Sequence, residues 1–291
     1  MDINKHRYYM TQILLAVFQE SELCKLLAFK GGTSLLLFHN LTRFSTDLDF
    51  NLLDKSQMEN VYRRMRNLLL RFGSIEDEAV KFYGAILVLS YGKGERMLKI
   101  EISTRQYDDH YEIKNLMGTD IRLMTINDMF AHKLCALGER ITPRDVYDTW
   151  FFLHNRTEIN PNIVQLRTEM PISEYAKLCA AKVSETSPKA LMQGLGEVLL
   201  DGSSKKFVKS QLITETASLL ELFSQYPLVA NQTNTPRMQL LIDNPNLTQL
   251  FENNNVDLST ISEQQLQNLI NQGASLKVYS RNGEEVDISL G

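Results

Sequence analysis

LLAFKGGTSLLLFHNLTRFSTDLDFNLL, residues 26–53, holds apolar runs on either side of a glycine pair and an Asp-x-Asp. Its apolar start, residues 26–30, reads as a strand. Gly31-Gly32 then makes a turn, and Thr33 to His39 read as a short helix. Asp47 to Leu53 alternate in polarity, so Leu48, Phe50 and Leu52 point one way and Asp47, Asp49 and Asn51 the other. A strand, a glycine turn, a helix and a second strand in so few residues indicate a mixed α/β unit.

Helical spacing of Ile13, Leu14, Val17 and Phe18 predicts an amphipathic helix over residues 5–20 before this unit. A second helix is expected over 56–72, on a stripe of Met58, Val61, Met65, Leu68 and Leu69. Three strand-like runs follow, AVKFYG, AILVLSYG and MLKIEIS, punctuated by Gly84, Gly92 and Gly94. From Asn127 to about Tyr226 helical periodicity dominates. The expectation is an α/β (α+β) chain with three parts. Residues 1–120 form a sheet-bearing domain, 121–227 a mainly helical one, and 228–291 an Asn/Gln-rich tail. Linker-like composition covers 227–237. Two weak helices are expected near 246–254 and 262–272, and Asn282-Gly283 signals a terminal β-hairpin.

Composition narrows the class. With 291 residues, 43% hydrophobic and 23% charged, the chain has material for a sizeable core and an ordinary soluble surface. The net charge of −4 does not advertise nucleic-acid binding, though it says nothing of local patches. Arg63, Arg64, Arg66 and Arg71 are either such a patch or a solvated helix face. Cys24, Cys135 and Cys179 are widely spaced, which argues against a disulfide framework or a zinc site and fits a reducing compartment. No window reaches the roughly 18 apolar residues of a membrane span, and no signal-peptide pattern opens the chain. A cytoplasmic protein with no membrane partner is expected.

Residues two apart on a strand share a face, so Asp47 and Asp49 project together with backbones about 6.5–7 Å apart. Paired carboxylates at that spacing suit Mg²⁺, with Mn²⁺ as an alternative. Glu101, within LKIEIS, faces away from its apolar neighbours and is the candidate third ligand. If its strand lies beside Asp47–Leu53, Glu101 comes within about 5 Å laterally. Two ions roughly 3.5–4 Å apart could then clamp an in-line phosphoryl transfer. The same Asp-x-Asp could equally be the solvent face of a half-buried strand. Gly31 and Gly32 let backbone approach a phosphate closely, and the Thr33 and Ser34 hydroxyls could bond its oxygens. Alternatively, Thr33 is only a helix cap. Together the two features suggest chemistry on a nucleoside triphosphate.

A second charged cluster lies in NDMFAHKLCALGERITPRDVYDTWFFLHN. Lys133 and Arg140 are seven apart and share a helix face if Gly138 does not end the helix. Lys133 sits beside apolar Leu134, Ala136 and Leu137, and could meet a triphosphate or leaving pyrophosphate, with Arg140 or Arg144 in support. Thr142-Pro143 starts the next helix, and Thr142-x-x-Asp145 resembles a capping box. Arg144 and Asp148 are spaced as an i,i+4 pair. Asp145 and Asp148 are thus open between structural and functional roles.

Four pieces together resemble the AbiEii/AbiGii-type toxin nucleotidyltransferases of the polymerase-β-like superfamily. They are Phe29-Lys30-Gly31-Gly32-Thr33-Ser34-Leu35, Arg43-x-Ser45-x-Asp47-Leu48-Asp49-Phe50, Lys99-x-Glu101, and Lys133-Leu134-x-Ala136-Leu137-x-x-Arg140 followed by Arg144-Asp145-x-x-Asp148. The resemblance covers roughly residues 10–155, with Gly32-Thr33 in place of the superfamily's Gly-Ser. It implies a small mixed β-sheet flanked by helices, then a helical domain closing the active-site cleft. It also implies nucleotidyl transfer from an NTP with Mg²⁺, in a toxin–antitoxin or abortive-infection system with a partner antitoxin. Some members act on tRNA ends, so tRNA or another RNA is the expected acceptor. On this reading Asp47, Asp49 and Glu101 hold the metal. Catalysis uses Asp47, Asp49, Glu101, Lys133 and Asp148. The nucleotide meets Gly31, Gly32, Thr33, Ser34, Arg43 and Arg140. Two other readings stand beside it: a catalytically silent interaction module, and a transferase acting on a small molecule.

Overall fold

The computed structural model describes residues 2–230 and the strand residues 278–279 and 285–286. The helices expected near 246–254 and 262–272, and the Asn282-Gly283 turn, lie outside the described residues. Helix α1 (Ile3–Gln19) is capped by Asp2, whose carboxylate accepts the Asn4 and Lys5 amides. There follow α2 (Leu23–Leu26), β1 (Leu27–Lys30), α3 (Gly31–Phe38), β2 (Asp47–Leu52) and α4 (Met58–Leu69). Five strands come next: β3 (Ser74–Lys81), β4 (Gly84–Ser90), β5 (Leu98–Ser103), β6 (Tyr111–Leu116) and β7 (Thr119–Met124).

The seven strands form one mixed sheet in the order β3-β4-β5-β2-β1-β7-β6. Strand β2 sits near its centre, parallel to β5 and antiparallel to β1. The central strands owe their place to alternation. Leu48, Phe50, Leu52, Leu98, Ile100 and Ile102 are fully buried in one core with Met10, Ile13, Leu14 and Val17 of α1. Burying each such side chain contributes about 1.5–3 kcal/mol, which fixes the register because a one-residue slip would expose the whole set. The other face of the same strands is thereby left to Asp47, Asp49 and Glu101.

Strands β6 and β7 were not expected from the sequence. They are joined by Met117-Gly118, both at positive φ, the geometry of a two-residue hairpin turn. β6 is an edge strand with no fully buried residue, so it carries little alternation. The boundary expected at residue 120 falls inside β7, which pairs in parallel with β1, so the sheet runs on to Met124.

Helices occupy the chain from there to residue 225: α5 (Ile126–Arg140), α6 (Pro143–His154), α7 (Pro161–Thr168), α8 (Ile172–Ser184), α9 (Pro188–Leu195), α10 (Gly202–Ser210) and α11 (Leu212–Gln225). Gly138 does not stop α5; its missing side chain makes room for Tyr175, whose hydroxyl donates to the Cys135 carbonyl. Pro143 opens α6 with Thr142 as its cap, as the sequence predicts. Phe130 of α5 stacks on Phe152 of α6 at 4.9 Å. In the tail, β8 (Val278–Tyr279) pairs antiparallel with β9 (Glu285–Val286), consistent with the expected hairpin.

One buried contact fixes the approach to β2. His6 Nε2 donates to the Thr46 carbonyl at 3.0 Å, so Nδ1 accepts from the Tyr91 hydroxyl at 2.5 Å. This ties α1 to the backbone just before Asp47. Tyr91→Phe should leave the imidazole nitrogen unpaired and lower stability by about 1–3 kcal/mol in urea titration. An unchanged midpoint would show that the contact has no structural weight.

Candidate active site

Lys30, Asp49 and Glu101 stand side by side across β1, β2 and β5: Lys30 is the register partner of Asp49, and Asp49 of Glu101. Two residues back along the strands, Asp47 lies opposite Lys99. The sequence expectation that the Glu101 strand neighbours the Asp47–Asp49 strand is met directly. This row lines a cavity of about 420 Å³, edged by Gly31 and Gly32 on one side and by Lys133, Arg140 and Arg144 on another.

The glycines have a steric reason. A Cβ on Gly31, which adopts φ +81°, would stand 2.4 Å from Asp49 Oδ2. A Cβ on Gly32 would stand 2.8 Å from Ser45 Oγ and 2.9 Å from Arg43 Nη2. The turn is therefore pressed against the very side chains that the next strand and its lead-in supply. Two expectations for this turn need correction. Thr33 does not cap the helix, which begins at Gly31; its hydroxyl is fully buried and donates to the Asp47 carbonyl at 2.5 Å. Ser34 is fully buried too, and neither hydroxyl lines the cavity. A helix beginning two residues early turns both side chains into the protein.

Electrostatics separate the acids. Burial, with the charges of Asp47 and Glu101 nearby, pushes the Asp49 carboxyl up to about 6. Burial works in the same direction on Glu101. There the Lys99 ammonium, 2.6 Å from Oε2, outweighs it and holds the carboxyl below its ordinary value. Arg144 Nη1 lies 3.7 Å from Asp47 Oδ2. Lys30 has no ion-pair partner within 4 Å among the described residues, and burial lowers its ammonium. Among the described residues no three His, Cys, Asp or Glu side chains converge closely enough to cage an ion unaided. The donor chemistry nevertheless fits a hard divalent cation. Asp47 and Asp49 offer carboxylate oxygens to the cavity, and the mutual repulsion seen at Asp49 is what such an ion relieves.

Along one wall of the cavity runs an ion network that reaches the buried Asp148 behind it. Arg43 is 2% exposed and Asp148 0%. Arg43 Nε and Nη2 each meet an Asp148 oxygen at 2.6 Å, and Lys133 Nζ reaches Asp148 Oδ2 at 2.7 Å and Asp145 Oδ1 at 3.2 Å. Arg140 Nε closes on Asp145 Oδ2 at 3.0 Å, where Thr142 Oγ1 also donates at 2.6 Å. The Arg144–Asp148 pair expected from i,i+4 spacing does not form, because Arg43 from a distant loop takes both Asp148 oxygens and Arg144 turns to Asp47. Asp148 has no face on the cavity. Although burial works to raise it, the neighbouring Arg43 and Lys133 hold its carboxyl well below the usual range.

Residues the sequence reading passed over complete the wall. Asn51 Nδ2 donates to Asp109 Oδ2 at 2.9 Å. Arg167 Nη1 donates to His132 Nδ1 at 2.8 Å, so His132 Nε2 donates to Asp109 Oδ1 at 2.6 Å. Tyr107 lies under the Arg167 guanidinium, 5.2 Å from it. The available signal was the polar run Thr104-Arg-Gln-Tyr-Asp-Asp-His110 directly after the Glu101 strand.

A central strand with paired carboxylates, an acidic neighbour, a glycine turn and a cationic helical wall is the layout of a nucleotidyltransferase. The sequence matches the family described as "Nucleotidyl transferase AbiEii toxin, Type IV TA system" over residues 12–244, and the chain belongs to that family. The resemblance read from the four motifs is thereby met, and so are the fold class and the assignment as a nucleotidyltransferase enzyme. Comparison with curated proteins gives no significant match. Among solved structures, the chain is similar to a candidate nucleotidyltransferase from H. pylori, at 24% identity over 77% of this chain and 94% of that one, with a TM-score of 0.49. JHP933 from Helicobacter pylori follows at 24% identity, 77% and 91% coverage and 0.45. MenT4, a nucleotidyltransferase toxin from Mycobacterium tuberculosis, gives 16%, 80% and 90%, and 0.45. The assignment rests on the family match.

Two outcomes are expected. Asp148→Ala should lose about 3–5 kcal/mol in urea unfolding, since it strands a buried guanidinium; a loss under about 1 kcal/mol would deny the network its weight. Asp49→Asn should act oppositely. The folded value of about 6 lies above the ordinary 3.8, so the Asp49 charge lowers stability above pH 6 and not below pH 3.8. In metal-free buffer the melting temperature of Asp49→Asn should equal wild type near about pH 4 and exceed it above about pH 6. A wild type more stable than the variant at the higher pH would contradict this.

Proposed function

We propose that this enzyme transfers a nucleotidyl group from an NTP to the hydroxyl of an RNA acceptor, tRNA among the candidates. We further propose that it acts in the cytoplasm as the toxin of a toxin–antitoxin or abortive-infection system, restrained by a partner antitoxin encoded nearby. The observation that carries this reading is the register pairing of Asp49 with Glu101, with Asp47 on the same face, in a cavity edged by the glycine turn.

In this reading Asp47 and Asp49, with Glu101, would hold Mg²⁺ or Mn²⁺, which when bound neutralises charge on the triphosphate. Gly31 and Gly32 present the first amides of α3 to phosphate oxygens. Lys133, Arg140 and Arg144 form the positive wall that faces the pyrophosphate. The acceptor oxygen attacks the α-phosphorus, the bond to the pyrophosphate oxygen breaks, and pyrophosphate leaves with its electron pair. Glu101 receives the acceptor's proton. Arg43, which lines the cavity, meets the nucleotide, while Asp148 acts one layer down, holding Arg43 and Lys133 in place. Thr33 and Ser34 serve the turn from inside. The division into a sheet-bearing catalytic part and a helical part that completes its cleft belongs to the same reading, with the tail's role left outside it. No helix among the described residues is long and apolar enough to cross a membrane.

Asp49→Ala should abolish transfer of label from NTPs to total RNA in the presence of Mg²⁺, with the melting temperature kept. Retained transfer by the folded variant would remove Asp49 from the site. Label appearing on a small molecule and never on RNA would move the acceptor to another chemical class.

A further inference from the structure

The β3–β4 hairpin turns on two aromatic residues, Phe82 and Tyr83, where small polar residues or glycine are the usual choice. They are 89% and 55% exposed, so they contribute little to the core. Their rings meet edge to face at 4.7 Å, and the Arg105 guanidinium lies over Tyr83 at 4.6 Å. The turn is held in place: the Thr104 amide donates to the Tyr83 carbonyl at 3.0 Å. No ion pair engages Lys81 or Arg105 among the described residues. Beside the turn is a second cavity, of about 440 Å³, lined in part by Lys81, Phe82, Tyr83 and Arg105. Glu101, Ser103 and Arg105 also line the candidate active site, so the two cavities share a wall. The register fixes the distance. Gly84 is opposite Ser103, and Ile86 opposite Glu101, so the turn begins about 7 Å along the strand from Glu101.

We propose that this turn is a stacking platform for unpaired nucleotides of the acceptor strand, which leads the strand's end past Ser103 to the Asp49–Glu101 row. Exposed aromatic rings accept any base face, and Lys81 and Arg105 offer charge to the phosphates between. The pairing of aromatics with cations, continuous with a site for phosphate chemistry, favours a nucleic-acid strand over an apolar protein surface. The platform also explains how a chain of net charge −4 engages a polyanion locally. The inference rests on the RNA-acceptor reading and extends it.

Two measurements on the full chain separate the two claims. Anisotropy of a fluorescein-labelled single-stranded oligoribonucleotide should show binding that weakens with salt. The Phe82→Ala/Tyr83→Ala double variant should bind it more weakly by between about 5- and 150-fold for each stacked base lost. In the transfer assay the same variant should show a raised KM for RNA with kcat and the KM for NTP unchanged. Arg105→Gln should weaken binding and reduce its salt dependence. Equal affinity of wild type and double variant, or no binding by wild type, would overturn the platform. That result with RNA still labelled leaves the acceptor reading intact and the turn free for a protein partner. Loss of oligonucleotide binding in the variant, with no RNA labelled by wild type, would leave the turn an RNA-binding surface but overturn its role for the acceptor strand together with the acceptor reading.

Discussion

Asp148, held by both Arg43 and Lys133, ties together three separate segments of the chain. Arg43 lies in the loop between α3 and β2, Lys133 on α5, and Asp148 on α6. Arg43 and Lys133 offset the buried carboxylates of Asp148 and Asp145, and Arg140 reaches Asp145 from the surface. Charges so deeply buried are tolerable only with every partner present. The network therefore holds the sheet-bearing part and the helical part in one arrangement. It also sets the position of Gly32, whose missing side chain leaves room for the Arg43 guanidinium.

Above that balanced layer lies one that is deliberately unbalanced. Asp47, Asp49 and Glu101 share one face of β2 and β5, and burial, with the charge of its two neighbours, raises the Asp49 carboxyl. Lys30 and Lys99 offset part of the charge. A protein that gained nothing from the Asp49 charge in this cavity would be more stable without it. Such a conflict between stability and arrangement is expected where a ligand supplies the missing charge.

How much of this was legible in the sequence follows from the range of each interaction. Alternation in Asp47–Leu52 and Leu98–Ser103 exposed the acidic row, because burying Leu48, Phe50, Ile100 and Ile102 leaves the carboxylates no other face. The capping of α6 by Thr142 was legible because it is local. The partner of Asp148 was not. Spacing offers Arg144, while the fold supplies Arg43 from 105 residues away in sequence. Thr33 and Ser34 were misread for a smaller reason: helix α3 starts at Gly31 instead of Thr33, and a two-residue shift rotates both hydroxyls inward. Strand β6 escaped because an edge strand buries too little for its period to show, whereas β7 was missed although it buries Ile121 and Leu123 in alternation. With them went the Asp109–His132–Arg167 wall, built from a loop, α5 and α7, which only tertiary structure brings together.

In the proposed reaction the bond broken in the NTP lies between the α-phosphorus and the pyrophosphate. Parallel reactions with α-labelled and γ-labelled NTP, each with purified protein, divalent metal and total RNA, test it most directly. The α-label should become covalently attached to the acceptor while the γ-label is released as pyrophosphate. The γ-label on the acceptor, or release of γ-phosphate alone, would contradict it and make the carboxylate row a site for phosphoryl transfer or hydrolysis.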